Sequence, residues 1–170
     1  MKRLWILRHA KSSWSRDGLA DHDRPLNRRG ERAALLMGAA LAQRGGGLDQ
    51  ALASTAVRVK QTIVRLQSQL DAPLPVSFEK GLYLASAGTW LERLQVLEDA
   101  DTVLVVGHNP GLQDLVEGLA PTGDDQALRR LRQGLPTAAL AEVALSLADW
   151  GQLSLGAGRL LSLTRPKDLV

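Results

Sequence analysis

The sequence predicts an α/β fold: a three-layer α/β/α sandwich with a mostly parallel central sheet. Apolar strand-like segments alternate with segments of helical periodicity, which is the pattern of such folds. Residues 102–106 are apolar on both faces, as a central parallel strand requires. The length of 170 residues suits one domain with a sizeable core. We therefore expect a single domain over residues 1–170, with antiparallel strands added near the C-terminus.

Local signals predict the elements of the first half. Residues 3–8 form a short apolar run that ends in polar residues, which indicates a buried strand. After a polar loop, Asn27 can cap a helix that ends at the glycines 45–47. A strand is predicted over residues 48–53. A helix is predicted over residues 56–70, where apolar side chains recur at helical spacing.

The second half continues the same alternation. The residue pair Asn109-Pro110 predicts a helix start, because asparagine caps helices and proline suits the first helical position. The other predicted elements are a strand over 76–78, a helix over 89–97, a strand over 102–106, a short helix over 124–133, and strands over 138–147 and 159–164.

Composition excludes several functional classes. The chain has no cysteine, so it has no disulfide, cysteine-ligated zinc, iron–sulfur cluster or thiol nucleophile. Its longest apolar runs are too short for a leader peptide or a membrane span, so we expect a cytoplasmic protein without a membrane partner. The 21 basic against 18 acidic residues give a net charge of +3, which favours an anionic partner without indicating nucleic acid.

Two of the three histidines, His9 and His108, directly follow predicted strands. Ligands of parallel α/β sheets bind beyond the carboxyl ends of the strands, so these side chains should meet at one edge. Arg58 lies near the start of the second predicted helix and adds positive charge there. The sequence therefore predicts an anion pocket lined by imidazoles.

Such a pocket suits phosphoryl transfer through a phosphohistidine. A neutral His9 can attack phosphorus, while Arg8, Arg58 and a protonated His108 hold the phosphate oxygens. Arginine suits this task because its planar guanidinium binds two oxygens at once. The guanidinium groups neutralise the phosphate charge, so we expect no metal and no cofactor.

Four sequence blocks carry these residues, and a further Lys11-Ser12-Ser13-Trp14 run follows the first of them. The blocks are Arg8-His9-Ala10, Arg24-Pro25-Leu26-Asn27-Arg28-Arg29-Gly30, Ser54-Thr55-Ala56-Val57-Arg58-Val59-Lys60-Gln61-Thr62 and Val105-Val106-Gly107-His108-Asn109-Pro110. Together they resemble the histidine phosphatase superfamily, which is named for its Arg-His-Gly motif. The compact chain looks most like the phosphohistidine phosphatases of the SixA type.

This resemblance implies a phosphoglycerate mutase-like fold and assigns roles to residues. His9 would be the phosphorylated nucleophile, Arg8 and Arg58 would bind phosphate, and His108 would be the second catalytic histidine. The implied substrate is phosphohistidine on a protein. Two alternatives stay open: a hydrolase of small phosphate esters, and a non-catalytic phosphate-binding adaptor. The chain departs from the family at Ala10, where many members have glycine.

Three further site residues are predicted on weaker signals. Ser15 occupies the place of an asparagine that contacts phosphate in many mutase-like members. Arg24 either contacts phosphate or pairs with Asp21 or Asp23 to order its loop. Glu79 is the candidate general acid, although a phosphohistidine substrate has little need of one.

A competing interpretation of the same loop is a metal site. Asp21, His22 and Asp23, with the two strand-end histidines, include plausible zinc or manganese ligands. A second carboxylate motif is missing, so we favour His22 as a solvated loop residue.

Overall fold

A computed structural model describes residues 1–45 and 47–170, and this part of the chain contains seven strands and five helices. The strands are β1 (Lys2–Arg8), β2 (Gln50–Ser54), β3 (Val76–Glu79), β4 (Thr102–Gly107), β5 (Thr122–Gly123), β6 (Leu140–Leu145) and β7 (Gly158–Thr164). The helices are α1 (Arg28–Gln43), α2 (Val57–Gln67), α3 (Ala87–Gln95), α4 (Gly111–Leu119) and α5 (Asp125–Arg132).

The strands form one sheet in the order β3-β2-β4-β1-β6-β7-β5. The first four strands of that order pair in parallel, whereas β6 runs antiparallel to both β1 and β7. This arrangement confirms the predicted α/β fold with antiparallel strands near the C-terminus. The two-residue strand β5 was not predicted, because so short a segment carries no periodic signal.

Alternate residues of β1 show how the sheet divides the core into two layers. Leu4 and Ile6 pack on one face, in a cluster that includes residues of α3, α4 and α5. Trp5 and Leu7 pack on the other face, with residues of α1 and α2. A strand buried on both faces needs apolar side chains at every position, which is what the continuous run of residues 4–7 supplies.

The helix boundaries differ from the predicted ones by a few residues. Asn27 caps α1 as expected, because its side chain accepts a hydrogen bond from the Gly30 amide at 2.8 Å. The predicted stop at Gly45, Gly46 and Gly47 follows the end of α1, and Gly46 lies outside the described residues. Helix α4 begins one residue later than predicted. Pro110 is its N-cap, while the Asn109 side chain accepts from the Gln113 amide at 3.2 Å.

Gly111, the first residue of α4, lies against the backbone of the chain before α3. A Cβ atom at Gly111 would overlap the carbonyl oxygen of Ala85. We expect Gly111→Ala to lower the free energy of unfolding by about 1–3 kcal/mol, because backbone atoms must move to relieve the overlap. Urea denaturation measures this change. Gly88→Ala in α3 is the control: its Cβ has only the Ser86 hydroxyl near it, at 3.8 Å, and equal destabilisation would contradict the explanation.

Candidate active site

The carboxyl ends of three neighbouring strands bring the predicted residues together. Strands β1 and β4 are parallel neighbours, with Arg8 in register with Gly107, so His9 and His108 leave the sheet side by side. Their ring centroids are 5.3 Å apart. Strand β2 ends next to β4 at Ser54, and Arg58 follows in the first turn of α2. The four residues that the sequence singled out most strongly thus lie at one edge of the sheet.

The hydrogen bonds of His9 define which ring nitrogen is free to react. Nδ1 lies 2.7 Å from the Ala10 carbonyl oxygen, so Nδ1 carries the proton and donates. Nε2 then has the lone pair, and it accepts a hydrogen bond from Arg58 Nε at 3.4 Å. Burial lowers the His9 pKa to about 4, and the nearby charges of Arg58, Arg8 and Arg24 also lower it. His9 is therefore a neutral imidazole at pH 7, as a nucleophile must be.

His108 is held between Ser54 and Arg58. Its Nε2 lies 2.7 Å from the Ser54 hydroxyl, and its Nδ1 lies 3.4 Å from Arg58 Nη2. Burial lowers its pKa to about 3, with His9 and Arg58 lowering it further. The sequence predicted a protonated His108, whereas the structure keeps this ring neutral at pH 7. A bound phosphate dianion would raise the pKa of His108, because a nearby negative charge favours the protonated imidazole.

Asp21 connects the loop over the site to Arg58. Arg58 donates to the Asp21 carbonyl oxygen at 2.7 Å and to its carboxylate at 3.0 Å. The same carboxylate accepts hydrogen bonds from the Tyr83 hydroxyl and from Arg24 Nε, the latter at 3.2 Å. The Tyr83 hydroxyl and Arg58 lower the Asp21 pKa to about 2. A carboxylate that is ionised at neutral pH therefore holds the Arg58 side chain, which is 3% exposed.

Arg8 approaches the site from the other side. Its Nη1 donates to the Leu135 carbonyl oxygen at 3.1 Å, and burial together with Arg58 lowers its pKa. Its Nε is buried and has no acceptor within the described residues. Buried donors are rarely left unpaired, so this N–H is available to a phosphate oxygen.

The structure places the weaker candidates differently. Arg24 pairs with Asp21, stacks at 3.4 Å on the ring of Trp14 and donates to the Ser13 carbonyl, so it orders its loop. It also lies near enough to His9 to lower the pKa of that ring. Ser15 is exposed, and its hydroxyl lies 2.8 Å from the Ser13 hydroxyl. These contacts leave a role in phosphate binding as a prediction for both residues.

Glu79 lies at the end of β3, but its contacts disfavour a proton-donating role. Its carboxylate accepts from Arg93 Nε at 2.8 Å and from the Ser77 hydroxyl at 2.9 Å. Arg93 lowers the Glu79 pKa, whereas a general acid at neutral pH needs a raised one. The ion pair with Arg93 thus counts against the prediction that Glu79 is the acid.

Sequence reasoning missed the aromatic contacts that link the loop to the site. Tyr83 lies edge-on to both His108 and His22, at centroid distances of 5.3 and 4.9 Å. His22 was expected to be solvated, yet its Nε2 lies 2.8 Å from the Thr55 hydroxyl. Tyr83 is the only tyrosine of the chain, and that rarity was the one signal that could have drawn attention to it.

Two classes of feature are missing from the part of the chain that the structure describes. Residues 1–45 and 47–170 contain no group of three or more histidine, aspartate or glutamate side chains able to hold a metal ion. The same residues contain no helix that is long and apolar enough to cross a membrane.

The two buried histidines predict loss of stability in acid. The unfolded chain protonates both near pH 6.5, whereas the folded protein does so only near pH 4 and pH 3. Between pH 6.5 and 4 each histidine should therefore lower the free energy of unfolding by about 1.4 kcal/mol per pH unit as the pH falls. Urea denaturation at pH 7, 5.5 and 4.5 measures this slope. The double variant His9→Asn/His108→Asn should lose most of it, and an unchanged slope would contradict the assignment.

Comparisons with known proteins agree with this geometry. A family model described as the histidine phosphatase superfamily (branch 1) matches residues 4–101. An uncharacterized protein of Mycobacterium tuberculosis is 37% identical over 164 residues, which cover 95% of this chain and all of the relative.

Two solved structures are similar over almost the whole chain. A SixA protein from Agrobacterium tumefaciens has 29% identity and a TM-score of 0.81, covering 97% of this chain and 98% of its own. The protein histidine phosphatase SixA complexed with tungstate has 26% identity and a TM-score of 0.80, covering 99% of both chains. The resemblance read from the four sequence blocks is confirmed: the chain belongs to the histidine phosphatase superfamily.

Proposed function

We propose that residues 1–170 form one catalytic domain that dephosphorylates phosphohistidine on a protein, through a phosphohistidine intermediate on His9 and without a metal. The observation that carries the proposal is the state of His9. Its Nδ1 proton is engaged by the Ala10 carbonyl, so Nε2 faces Arg58 with its lone pair. This is the arrangement a nitrogen nucleophile needs next to a bound phosphate.

The proposed reaction has two transfers. His9 Nε2 forms a bond to phosphorus while the substrate's P–N bond breaks, and the departing imidazole keeps the electron pair and takes up a proton from solvent. Water then attacks the phosphorylated His9, which releases inorganic phosphate and returns the electron pair to Nε2. Arg8, Arg58 and His108 bind the phosphate oxygens in both steps and stabilise the charge of the transition state.

A phosphohistidine substrate fits the ion pair between Glu79 and Arg93, which disfavours the predicted proton donor. An imidazole is a better leaving group than an alkoxide, so P–N cleavage depends less on a general acid. The similarity to the SixA structures also supports this substrate class. A small phosphate ester is the second candidate, because a cleft of about 760 Å³ that reaches Arg8 has room for a small molecule.

Glu79 offers a direct test of the need for an acid. Because Glu79 pairs with Arg93, we expect Glu79→Gln to change the hydrolysis of a phosphohistidine peptide by less than about twofold. Steady-state kinetics on that peptide and on an alkyl phosphate measure the effect. A much larger loss of activity on the alkyl phosphate would restore Glu79 as the general acid for esters. Equal large losses on both substrates would contradict the proposal that cleavage of the P–N bond does not need a general acid.

The function itself is tested by supplying both substrate classes. Purified protein is incubated with a phosphohistidine peptide and with an aryl phosphate, each with and without chelator, and acid-labile phosphate is sought by mass spectrometry. We expect turnover of the peptide, insensitivity to chelator and inhibition by tungstate. Hydrolysis of the aryl phosphate alone would favour the small-ester hydrolase. Binding without turnover would favour the adaptor, and inhibition by chelator would favour a metal enzyme.

A further inference from the structure

A basic cleft extends from Arg8, and its other cations have no role in the proposed chemistry. It has a volume of about 760 Å³, and its wall includes Arg8 and Asn109, the residues next to His9 and His108. Both Arg8 Nη1 and Asn109 Nδ2 donate to the Leu135 carbonyl oxygen, at 3.1 and 2.8 Å. The cleft therefore adjoins the chain neighbours of both histidines, although His9 and His108 are not among its lining residues.

The charge of this cleft has one sign. Besides Arg8, its lining includes Lys11, Arg29, Arg32, Arg165 and Lys167, and no aspartate or glutamate among the described residues. Arg165 is paired with Asp168, which is not among the lining residues. Four other cations of the lining have no acidic partner within ion-pair distance in the part of the chain described: Lys11, Arg29, Arg32 and Lys167. A concave surface whose charged side chains are all cationic concentrates positive potential and attracts anions.

The distribution of the cations points to an extended ligand. Lys11, Arg29, Arg32 and Lys167 come from three separate segments: the loop after β1, the first turns of α1 and the C-terminal turn Pro166–Leu169. All four are exposed. Exposed charges on separate segments suit several anionic groups spread along a surface, whereas one compact anion is bound by a convergent set of buried donors.

We propose that this basic cleft binds an acidic segment of the phosphoprotein, next to the phosphohistidine presented to His9. The inference rests on the proposed function and narrows its substrate class to phosphohistidine domains with acidic side chains beside the modified residue. Acidic side chains in the cleft would align the substrate with Arg8 and raise the association rate, and salt would weaken both effects.

The test compares two phosphohistidine peptides that differ only in flanking residues, glutamate in one and glutamine in the other. At low ionic strength we expect kcat/KM to favour the glutamate peptide by roughly tenfold, the lower end of electrostatic steering. The variant Arg29→Gln/Arg32→Gln should reduce this preference to less than about twofold and leave the glutamine peptide unaffected. The control Arg129→Gln/Arg159→Gln makes the same charge change at exposed residues outside the cleft and should keep the preference.

Binding separates this inference from the proposed function. Isothermal titration with the unphosphorylated glutamate peptide should give binding that Arg29→Gln/Arg32→Gln removes, even if neither phosphopeptide is hydrolysed. In that case the cleft proposal stands and the proposed function fails. Equal kcat/KM for the two peptides in the unsubstituted protein would overturn the cleft proposal. So would tripolyphosphate binding more tightly than the glutamate peptide, because a small polyanion would then be the preferred occupant.

Discussion

Replacing His9 with alanine is expected to abolish both turnover and the acid-labile phosphate on the protein. In the proposed reaction the new P–N bond forms at His9 Nε2, whereas His108 binds phosphate oxygens and has its Nε2 2.7 Å from the Ser54 hydroxyl. Loss of a covalent nucleophile costs about 10⁴-fold or more in kcat. Mass spectrometry under alkaline conditions, which preserve phosphohistidine, together with steady-state kinetics measures both quantities.

The matched control is His22→Asn, which removes the remaining histidine of the chain. His22 contacts Thr55 and Tyr83 but has no hydrogen bond to His9 or His108. This variant should still become phosphorylated on His9. Phosphate found on His108 or His22 in the His9→Ala protein, or turnover within tenfold of the unsubstituted protein, would contradict the covalent mechanism.

Replacing Arg58 with glutamine is expected to lower kcat/KM by about 10²- to 10³-fold, the usual cost of removing one donor that stabilises transition-state charge. Arg58 also lowers the pKa of both histidines. Its removal should therefore raise both pKa values and move the acid limb of the kcat/KM profile to higher pH. Kinetics between pH 4.5 and 8 measures the rate and the limb together.

A second substitution at the same position separates charge from geometry. Arg58→Lys keeps the positive charge but cannot contact His9, His108 and Asp21 at once, as the guanidinium does. For Arg58→Lys we expect a large loss of kcat/KM, with little movement of the acid limb of its pH profile. Arg65→Gln, on the exposed side of α2, should change neither quantity. If the acid limb does not move in Arg58→Gln, the charge of Arg58 does not set the pKa values of the two histidines.

The strand ends were predictable from local sequence because residues 4–7 of β1 and 103–106 of β4 are continuously apolar and a histidine follows each strand. Their adjacency followed from a general rule for parallel sheets and not from any single residue. The contacts of Asp21 could not be foreseen in the same way. Tyr83 lies 62 residues further along the chain. No periodic pattern links such distant positions.

For Glu79 the sequence predicted the position but not the contacts that set its protonation state. Its place at a strand end was predicted correctly, and the structure puts it in register with Ser54 on the neighbouring strand. Its chemistry is set by Arg93, which projects from α3 and holds the carboxylate as an ion pair. Position in a sheet can be read from sequence patterns, whereas the protonation state of a side chain depends on neighbours that only the folded chain brings near.

The carbonyl oxygen of Leu135, which accepts hydrogen bonds from both Arg8 and Asn109, has a consequence for protein engineering. It ties the side chains of Arg8, the last residue of β1, and of Asn109, which follows His108, to the loop before β6. Changes in the backbone of that loop would therefore disturb catalysis and recognition together. The exposed cations of α1, Arg29 and Arg32, do not hydrogen-bond to this carbonyl oxygen. Substrate preference could therefore be redesigned at Arg29 and Arg32 while the reaction centre is left intact.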